Sequence, residues 1–128
     1  MLSDSKVPSD WMRHAYSDLE IAKIRISGNI RLESLCYHAQ QAVEKSIKAL
    51  LLHYGISFPK VHSIERLIDL LPENVERTDD LKASASLTRY AAMLRYPGEF
   101  EEATREHYDE AVRLAEAVVE WAKHLVES

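Results

Sequence analysis

Four polar side chains that could bind an anion recur along the segment from Leu32 to Tyr54. They follow one another at intervals of three or four residues: His38, Gln41, Lys45 and Lys48. In a helix such residues share one stripe, because each residue advances by about 100°. The two lysines create a local positive field, and the amide and the imidazole can donate hydrogen bonds. The stripe therefore predicts a site for phosphate or a nucleotide.

Two later segments can complete this site. The loop ISFPKVHS carries Lys60 and His62, and the sequence RYPGEF carries Arg95 and Tyr96. An arginine forms bidentate contacts with phosphate, and a tyrosine ring can stack on a base. The predicted ligand site thus consists of His38, Gln41, Lys45, Lys48, Lys60, His62, Arg95 and Tyr96. We assign no catalytic residue and expect neither a metal site nor a cofactor.

The same residues also allow a purely structural interpretation. Lys48 follows Glu44 by four residues, and such a pair on an exposed helix contributes only a few tenths of a kcal/mol. His62 precedes Ser63, which can cap the next helix, so a role in capping is open for it. On this interpretation the two lysines are solvated charges on a helix face.

Charge and composition limit the possible partners. Acidic residues outnumber basic ones by 21 to 16, for a formal net charge of −5, which argues against an extended nucleic-acid surface. The N-terminus lacks the basic start and apolar run of a signal peptide, and no segment approaches the roughly 20 apolar residues of a membrane helix. The single cysteine, Cys36, cannot form an internal disulfide. We therefore expect a soluble, cytoplasmic protein.

Apolar residues at helical spacing predict three long amphipathic helices. They run from about Asp10 to about Ser27, from Leu32 to Tyr54, and from Thr104 to about Val126. Ser9 and Thr104 are the expected N-caps, and Gly28 and Gly55 are the expected ends of the first two helices.

Two shorter helices are predicted between the second and third long ones. Ser63 can cap the sequence IERLIDLL, which ends before Pro72, and an alanine-rich helix extends from about Asp79 to Leu94. The segment from Pro72 to Arg77 reads as a polar connector.

No segment alternates apolar and polar residues as a strand would. We predict an all-α, up-and-down bundle of three long and about two shorter helices. A single domain is expected over residues 1–128, with residues 1–8 as a flexible tail.

Three blocks follow one another along the chain: YHAQQAVEKSIKALLLHYG, FPKVHSIERLIDLL, and RYPGEF before the last amphipathic helix. Together they resemble the HEPN family over nearly the whole chain. The resemblance implies an up-and-down helical bundle, usually a homodimer, that is frequently partnered with a minimal nucleotidyltransferase in a two-component module. The family includes ribonuclease toxins as well as members without demonstrated activity.

The arginine and histidine motif of the family's nucleases is incomplete in this chain. Many of these nucleases carry an arginine followed, after four to six residues, by a histidine near the start of the last long helix. Arg95 lies at about the right place, but the positions for the histidine hold Phe100, Glu101 and Glu102. Arg31 and His38 match the spacing, yet they belong to the second helix, where the family does not keep its active site.

We therefore predict a non-catalytic, homodimeric HEPN-type module that binds a nucleotide or phosphate and assembles with a minimal nucleotidyltransferase. One alternative is a metal-independent RNA endonuclease toxin, which would need a histidine to move a proton and a cation to stabilise the phosphorane. Growth arrest on expression would distinguish it. The other alternative is a purely structural protein-interaction module, in which alanine at both Lys45 and Lys48 leaves partner binding intact.

Overall fold

The second long helix is the axis around which the chain packs. In the computed structural model, which describes residues 5–96 and 98–128, this helix (α2) spans Leu32–His53. Its buried positions cover more than one face, so neighbours pack on several sides of it. The main neighbours are α1 (Pro8–Ala22) and α6 (Arg105–Glu127). Gly55 follows α2 with φ of 74°, a conformation open to glycine, and the predicted bounds of α2 are confirmed.

α1 begins and ends earlier than its sequence predicts. It begins at Pro8, with Val7 rather than Ser9 as N-cap, because proline suits a first helical position that needs no amide hydrogen. It ends at Ala22, well before Gly28. There the hydroxyl of Tyr108 in α6 donates a hydrogen bond to the Ala22 carbonyl at 2.6 Å. A tertiary contact thus satisfies a carbonyl at the end of α1.

The chain before α1 is attached to that helix. The Ser5 hydroxyl donates to the Asp10 carboxylate at 2.8 Å, and the indole nitrogen of Trp11 donates to the Ser5 carbonyl at 3.2 Å. The flexible tail predicted for residues 1–8 stays a prediction, and residues 1–4 lie outside the described part of the chain.

Three short helices and one 3-10 turn connect α2 to α6. They are α3 (Ile64–Asp69), α4 (Asp79–Ser84), the 3-10 turn (Ala85–Thr88) and α5 (Arg89–Arg95). The single helix predicted from Asp79 to Leu94 is therefore wrong. The hydroxyls of Ser84 and Ser86 donate to the carbonyls three residues earlier, at 2.6 Å and 2.9 Å. Such bonds compete with the regular helix ladder and accompany the tighter turn.

Both N-caps predicted beyond α2 are confirmed. The Ser63 hydroxyl accepts from the Arg66 amide at the start of α3. At the start of α6, the Thr104 hydroxyl accepts from the His107 amide at 3.1 Å, and the His107 ring accepts from the Thr104 amide at 3.1 Å. This reciprocal pair satisfies two amides that would otherwise lack partners.

The connector between α3 and α4 is held by one arginine. Arg77 donates from its guanidinium to four backbone carbonyls at 2.6–3.1 Å, those of Ile68, Leu71, Pro72 and Val75. The planar fork of donors suits several acceptors at once. The segment predicted as a polar connector is therefore an irregular connection that Arg77 ties to the end of α3.

The core lies between α2 and the helices that cover it. It includes apolar positions of all three long helices, among them Trp11, Ala15, Ile47, Leu50, Ala115 and Val118. The part of the chain that is described contains helices and no strand, so the predicted all-α bundle is confirmed. None of the helices in that part is both long and apolar enough to cross a bilayer.

Candidate functional site

Two members of the predicted stripe are engaged by a carboxylate on α1. The Nδ1 of His38 donates to Asp18 at 2.9 Å, and the Lys45 ammonium donates to the other oxygen of the same carboxylate. Asp18 is almost fully buried. His38 and Lys45 thus tie α2 to α1. A sequence signal for Asp18 existed, because it falls at an apolar position between Ala15 and Ala22 in the helical repeat of α1.

Lys48 is buried in an ion pair with Glu44. The Lys48 ammonium lies 3.0 Å from the Glu44 carboxylate, and their side chains are only 7% and 3% exposed. The same ammonium lies 5.4 Å from the ring centroids of Trp11 and Phe58, a cation–π arrangement. The predicted pairing of Glu44 with Lys48 is confirmed. The expectation that Lys48 offers an accessible charge is wrong, because the residue lies inside the bundle.

Glu44 also holds a histidine from the loop before α3. The Nδ1 of His62 lies 3.2 Å from a Glu44 oxygen, while the His62 side chain is 56% exposed. A carboxylate only accepts, so Nδ1 carries the hydrogen and Nε2 of the neutral ring is an acceptor. Within residues 5–96 and 98–128, Nε2 has no hydrogen-bond partner. The ring is therefore fixed at one nitrogen and available at the other.

Three predicted ligand residues from separate segments line one groove. Gln41 of α2, His62 of the loop and Arg95 of α5 border a space of about 300 Å³, together with Tyr37, Ala91 and Leu94. We call this space the α2–α5 groove. Arg95 is exposed, and none of the described carboxylates forms an ion pair with it. The groove thus combines an unpaired guanidinium, an amide and an imidazole.

The α2–α5 groove also contains a tyrosine that sequence reasoning left out of the site. Burial, followed by the nearby charges of Glu44 and Asp18, raises the pKa of Tyr37, and Arg95 opposes this effect. The Tyr37 hydroxyl therefore stays protonated at neutral pH and can donate a hydrogen bond to an anion.

Two backbone features set the positions of the groove residues. His62 directly precedes Ser63, the cap of α3. The next amide, that of Ile64, donates to the Thr88 hydroxyl at 3.1 Å. Thr88 directly precedes α5, the helix that ends at Arg95. One hydrogen bond therefore joins the segment that carries His62 to the helix that carries Arg95.

Tyr96 lies in a neighbouring cleft. This cleft, about 530 Å³ in volume, is bordered by Arg31 and the apolar side chains of Met93, Leu94, Tyr96 and Phe100. We call it the α5 cleft, and Leu94 is common to it and the α2–α5 groove. Arg31 is paired at 2.9 Å with both Glu33 and Glu102. Arg31 and His38 therefore have different partners.

The predicted site is thus divided by the fold. The α2–α5 groove contains Gln41, His62 and Arg95. Tyr96 lies in the adjoining α5 cleft, which shares Leu94 with that groove. Lys60 is exposed on the loop and lines neither the groove nor the cleft. His38, Lys45 and Lys48 serve buried carboxylates. Whether the groove binds a ligand stays a prediction.

The model of the HEPN domain matches residues 8–125 of the chain. The chain belongs to the HEPN family. A protein of Methanocaldococcus jannaschii named "Putative toxin MJ1304" is 33% identical over 129 aligned residues, which cover 88% of this chain and 84% of that protein. The toxin designation applies to that relative.

Two solved structures resemble this HEPN chain. One is described as the crystal structure of ST0689, an archaeal HEPN homologue; it is 30% identical with a TM-score of 0.73 and covers 95% of this chain and 99% of its own. The other, TT1696 from Thermus thermophilus, is 29% identical with a TM-score of 0.80 and covers 92% of this chain and 97% of its own. The helical bundle described above is therefore the HEPN fold.

Proposed function

We propose that this chain is a toxin-like HEPN module that binds the phosphate of a nucleotide in the α2–α5 groove. The observation that carries the proposal is the unpaired Arg95 beside Gln41 and His62. A guanidinium without a carboxylate partner can give both of its parallel N–H groups to phosphate oxygens. The similarity to a relative named a putative toxin supports the toxin-like part of the proposal.

The two predicted lysines have a different task in this proposal. Lys45 neutralises Asp18 and Lys48 neutralises Glu44, so neither carboxylate repels an incoming phosphate at full strength. The direct contacts fall to Arg95, Gln41, Tyr37 and His62. The amide and hydroxyl groups add neutral donors.

Calorimetric titration with inorganic phosphate, AMP and ATP tests this site. The wild-type protein is expected to bind at least one of them, and Arg95→Ala is expected to weaken that binding by at least tenfold, because a charge-assisted bidentate contact is lost. Arg13→Ala is the matched control, since Arg13 is an exposed arginine on α1 paired only with Asp10 among the described residues. Absence of heat with all three ligands at millimolar concentration would refute phosphate binding.

The HEPN resemblance supports a second part of the proposal, a homodimer that assembles with a minimal nucleotidyltransferase. Co-expression followed by size-exclusion chromatography with light scattering should then yield a complex containing two copies of this chain. If Arg95→Ala forms the same complex but no longer binds phosphate, assembly and ligand binding use separate surfaces. A chain that assembles normally and binds none of the three ligands would instead support the purely structural alternative.

A further inference from the structure

Another groove lies between the start of α5 and the first turns of α6. Its volume is about 410 Å³, and buried apolar side chains of Leu87, Ala111 and Leu114 line its inner side. The exposed side chains of Arg89 and Glu106 also line it. We call it the α5–α6 groove. It shares no lining residue with the α2–α5 groove, so the two can be tested separately.

Arg89 provides the α5–α6 groove with a fixed cation. Its guanidinium carbon lies 5.0 Å from the centroid of the Tyr90 ring, and its Nη2 donates to the Tyr90 hydroxyl at 3.4 Å. These contacts hold the guanidinium in place without neutralising it. None of the described carboxylates forms an ion pair with Arg89. Its remaining N–H groups can therefore donate to the carboxylate of a ligand.

His107 adds a neutral donor to the same groove. Its Nδ1 accepts a hydrogen bond from the Thr104 amide at 3.1 Å. An accepting ring nitrogen carries no hydrogen, so in the neutral imidazole the hydrogen is on Nε2. Across residues 5–96 and 98–128, Nε2 of His107 has no acceptor of its own. The capping box at the start of α6 therefore leaves one N–H group of this lining residue available to a ligand.

Glu106 gives the groove a negative charge that no described cation neutralises. The neighbouring Glu110 carboxylate is, by contrast, already bound by Arg113 at 2.8 Å. Arg89 and Glu106 line the same groove, but they are too far apart to form an ion pair with each other. A ligand that carries both a carboxylate and an ammonium can pair with both of them, because it places one charge near each.

We propose that the α5–α6 groove binds a free α-amino acid with an apolar side chain. The ligand carboxylate accepts from Arg89 and from Nε2 of His107, the ligand ammonium donates to Glu106, and the ligand side chain covers the apolar inner side of the groove. Small-molecule sites commonly combine an apolar lining with a few charged or polar groups that orient the ligand. This binding goes beyond the proposed function and does not depend on phosphate binding.

Calorimetric titration of the full chain with L-leucine and two analogues tests the proposal. Leucinamide lacks the carboxylate, and isocaproate lacks the ammonium. The wild-type protein is expected to bind leucine, and each analogue should bind roughly tenfold more weakly or worse, because each loses a charge-assisted contact. Absence of heat with both L-leucine and L-phenylalanine at millimolar concentration would overturn the proposal. Equal affinities for leucine and its two analogues would overturn it as well.

Two variants place the ligand in the α5–α6 groove. Arg89→Gln and Glu106→Gln should each weaken leucine binding roughly tenfold or more, and both residues are exposed, so the circular dichroism spectrum should not change. Arg105→Gln is the matched control, since Arg105 is an exposed arginine of the same region that pairs with Asp109 and does not line the groove. Wild-type affinity in Arg89→Gln or Glu106→Gln, or an equal loss in Arg105→Gln, would contradict this site.

Discussion

Lys48 and Arg95 are cations of one predicted site, yet their surroundings give them opposite roles. Lys48 is enclosed by Glu44 and two aromatic rings, whereas Arg95 is exposed at the end of α5. A buried charge is retained only where a counter-charge and hydrogen bonds offset its desolvation. Lys48 therefore stabilises the bundle, whereas the exposed Arg95 is available for the proposed contact with phosphate.

Removal of Lys48 should destabilise the protein strongly. Lys48→Ala leaves the Glu44 carboxylate buried without its counter-ion, and we expect a loss of about 3–5 kcal/mol in the free energy of unfolding. Urea denaturation followed by circular dichroism measures it. Lys82→Ala, an exposed lysine on α4, should change stability by less than about 0.5 kcal/mol. The double variant Glu44→Gln with Lys48→Met should recover most of the lost free energy of unfolding, because it leaves no unpaired buried charge. If the double variant is as unstable as Lys48→Ala, the unpaired Glu44 carboxylate is not the cause of the loss.

Tyr96 should contribute to binding only when the ligand carries a base. Its ring borders the α5 cleft, next to the groove that would hold the phosphate. Because stacking on an aromatic ring contributes about 1–3 kcal/mol per base, Tyr96→Ala should weaken binding of a dinucleotide by roughly tenfold or more and leave inorganic phosphate unaffected. Tyr96→Phe is the control and should bind like the wild-type protein. Equal losses for both ligands would show that the ring has another role.

Helical spacing singled out Gln41, and the loop and RYP segments singled out His62 and Arg95, three residues that the fold brings to one groove; their role as ligand residues stays a prediction. Spacing identifies the face of a helix, but it does not identify the partner across from it. His38 and Lys45 could not be assigned to Asp18 without knowing how α1 packs on α2. The pairing of Glu44 with His62 depended in the same way on the path of the loop before α3.

At the level of helices, the sequence predicted the N-caps of α3 and α6 correctly but not the residue at which α1 ends. Ser63 and Thr104 cap their helices as predicted, because a cap bonds to amides two or three residues away. The end of α1 depends on Tyr108, which is distant in sequence. The break after Ser84 involves short-range bonds from Ser84 and Ser86, but alanine-rich sequence favours a continuous helix and obscured it.

Arg77 should be the most sensitive residue of the connectors. Its guanidinium bonds to four carbonyls that follow or end α3, so Arg77→Ala is expected to lower the free energy of unfolding by about 2–3 kcal/mol. Arg77→Lys should recover only part of this, since an ammonium lacks the planar fork. Chemical denaturation of both variants checks the prediction. The control is Arg66→Ala, which removes an exposed arginine of α3. If Arg66→Ala loses as much free energy of unfolding as Arg77→Ala, the prediction for Arg77 is wrong.

For the whole molecule, stability should fall at alkaline pH. Burial raises the pKa of Cys36 from 9.0 to about 11. Between these values the unfolded chain loses the thiol proton while the folded chain keeps it, so stability is fully present below about pH 9 and declines as the pH rises toward 11. Burial also raises the pKa of Tyr90 and of Tyr108, which adds to the same trend.

Cys36→Ala isolates the contribution of the thiol. The unfolding free energy of the wild-type protein should fall more steeply from pH 8.5 to pH 10.5 than that of the variant, with a difference of at most about 2–3 kcal/mol. Urea titrations at several pH values measure both slopes, and comparison of slopes removes any constant cost of the smaller side chain. Parallel slopes would show that Cys36 ionises without opposition from the fold.

The bond from the Ile64 amide to the Thr88 hydroxyl has a consequence for how a ligand enters. It fastens the segment that carries His62 to the start of α5, so neither of these two sides of the groove can move away without breaking it. We expect the groove to have its ligand-bound shape before a ligand arrives, so that binding requires little ordering of the protein. Amide hydrogen exchange around Ile64 should then be almost the same in the empty and the loaded protein, and Thr88→Val should make it faster in both.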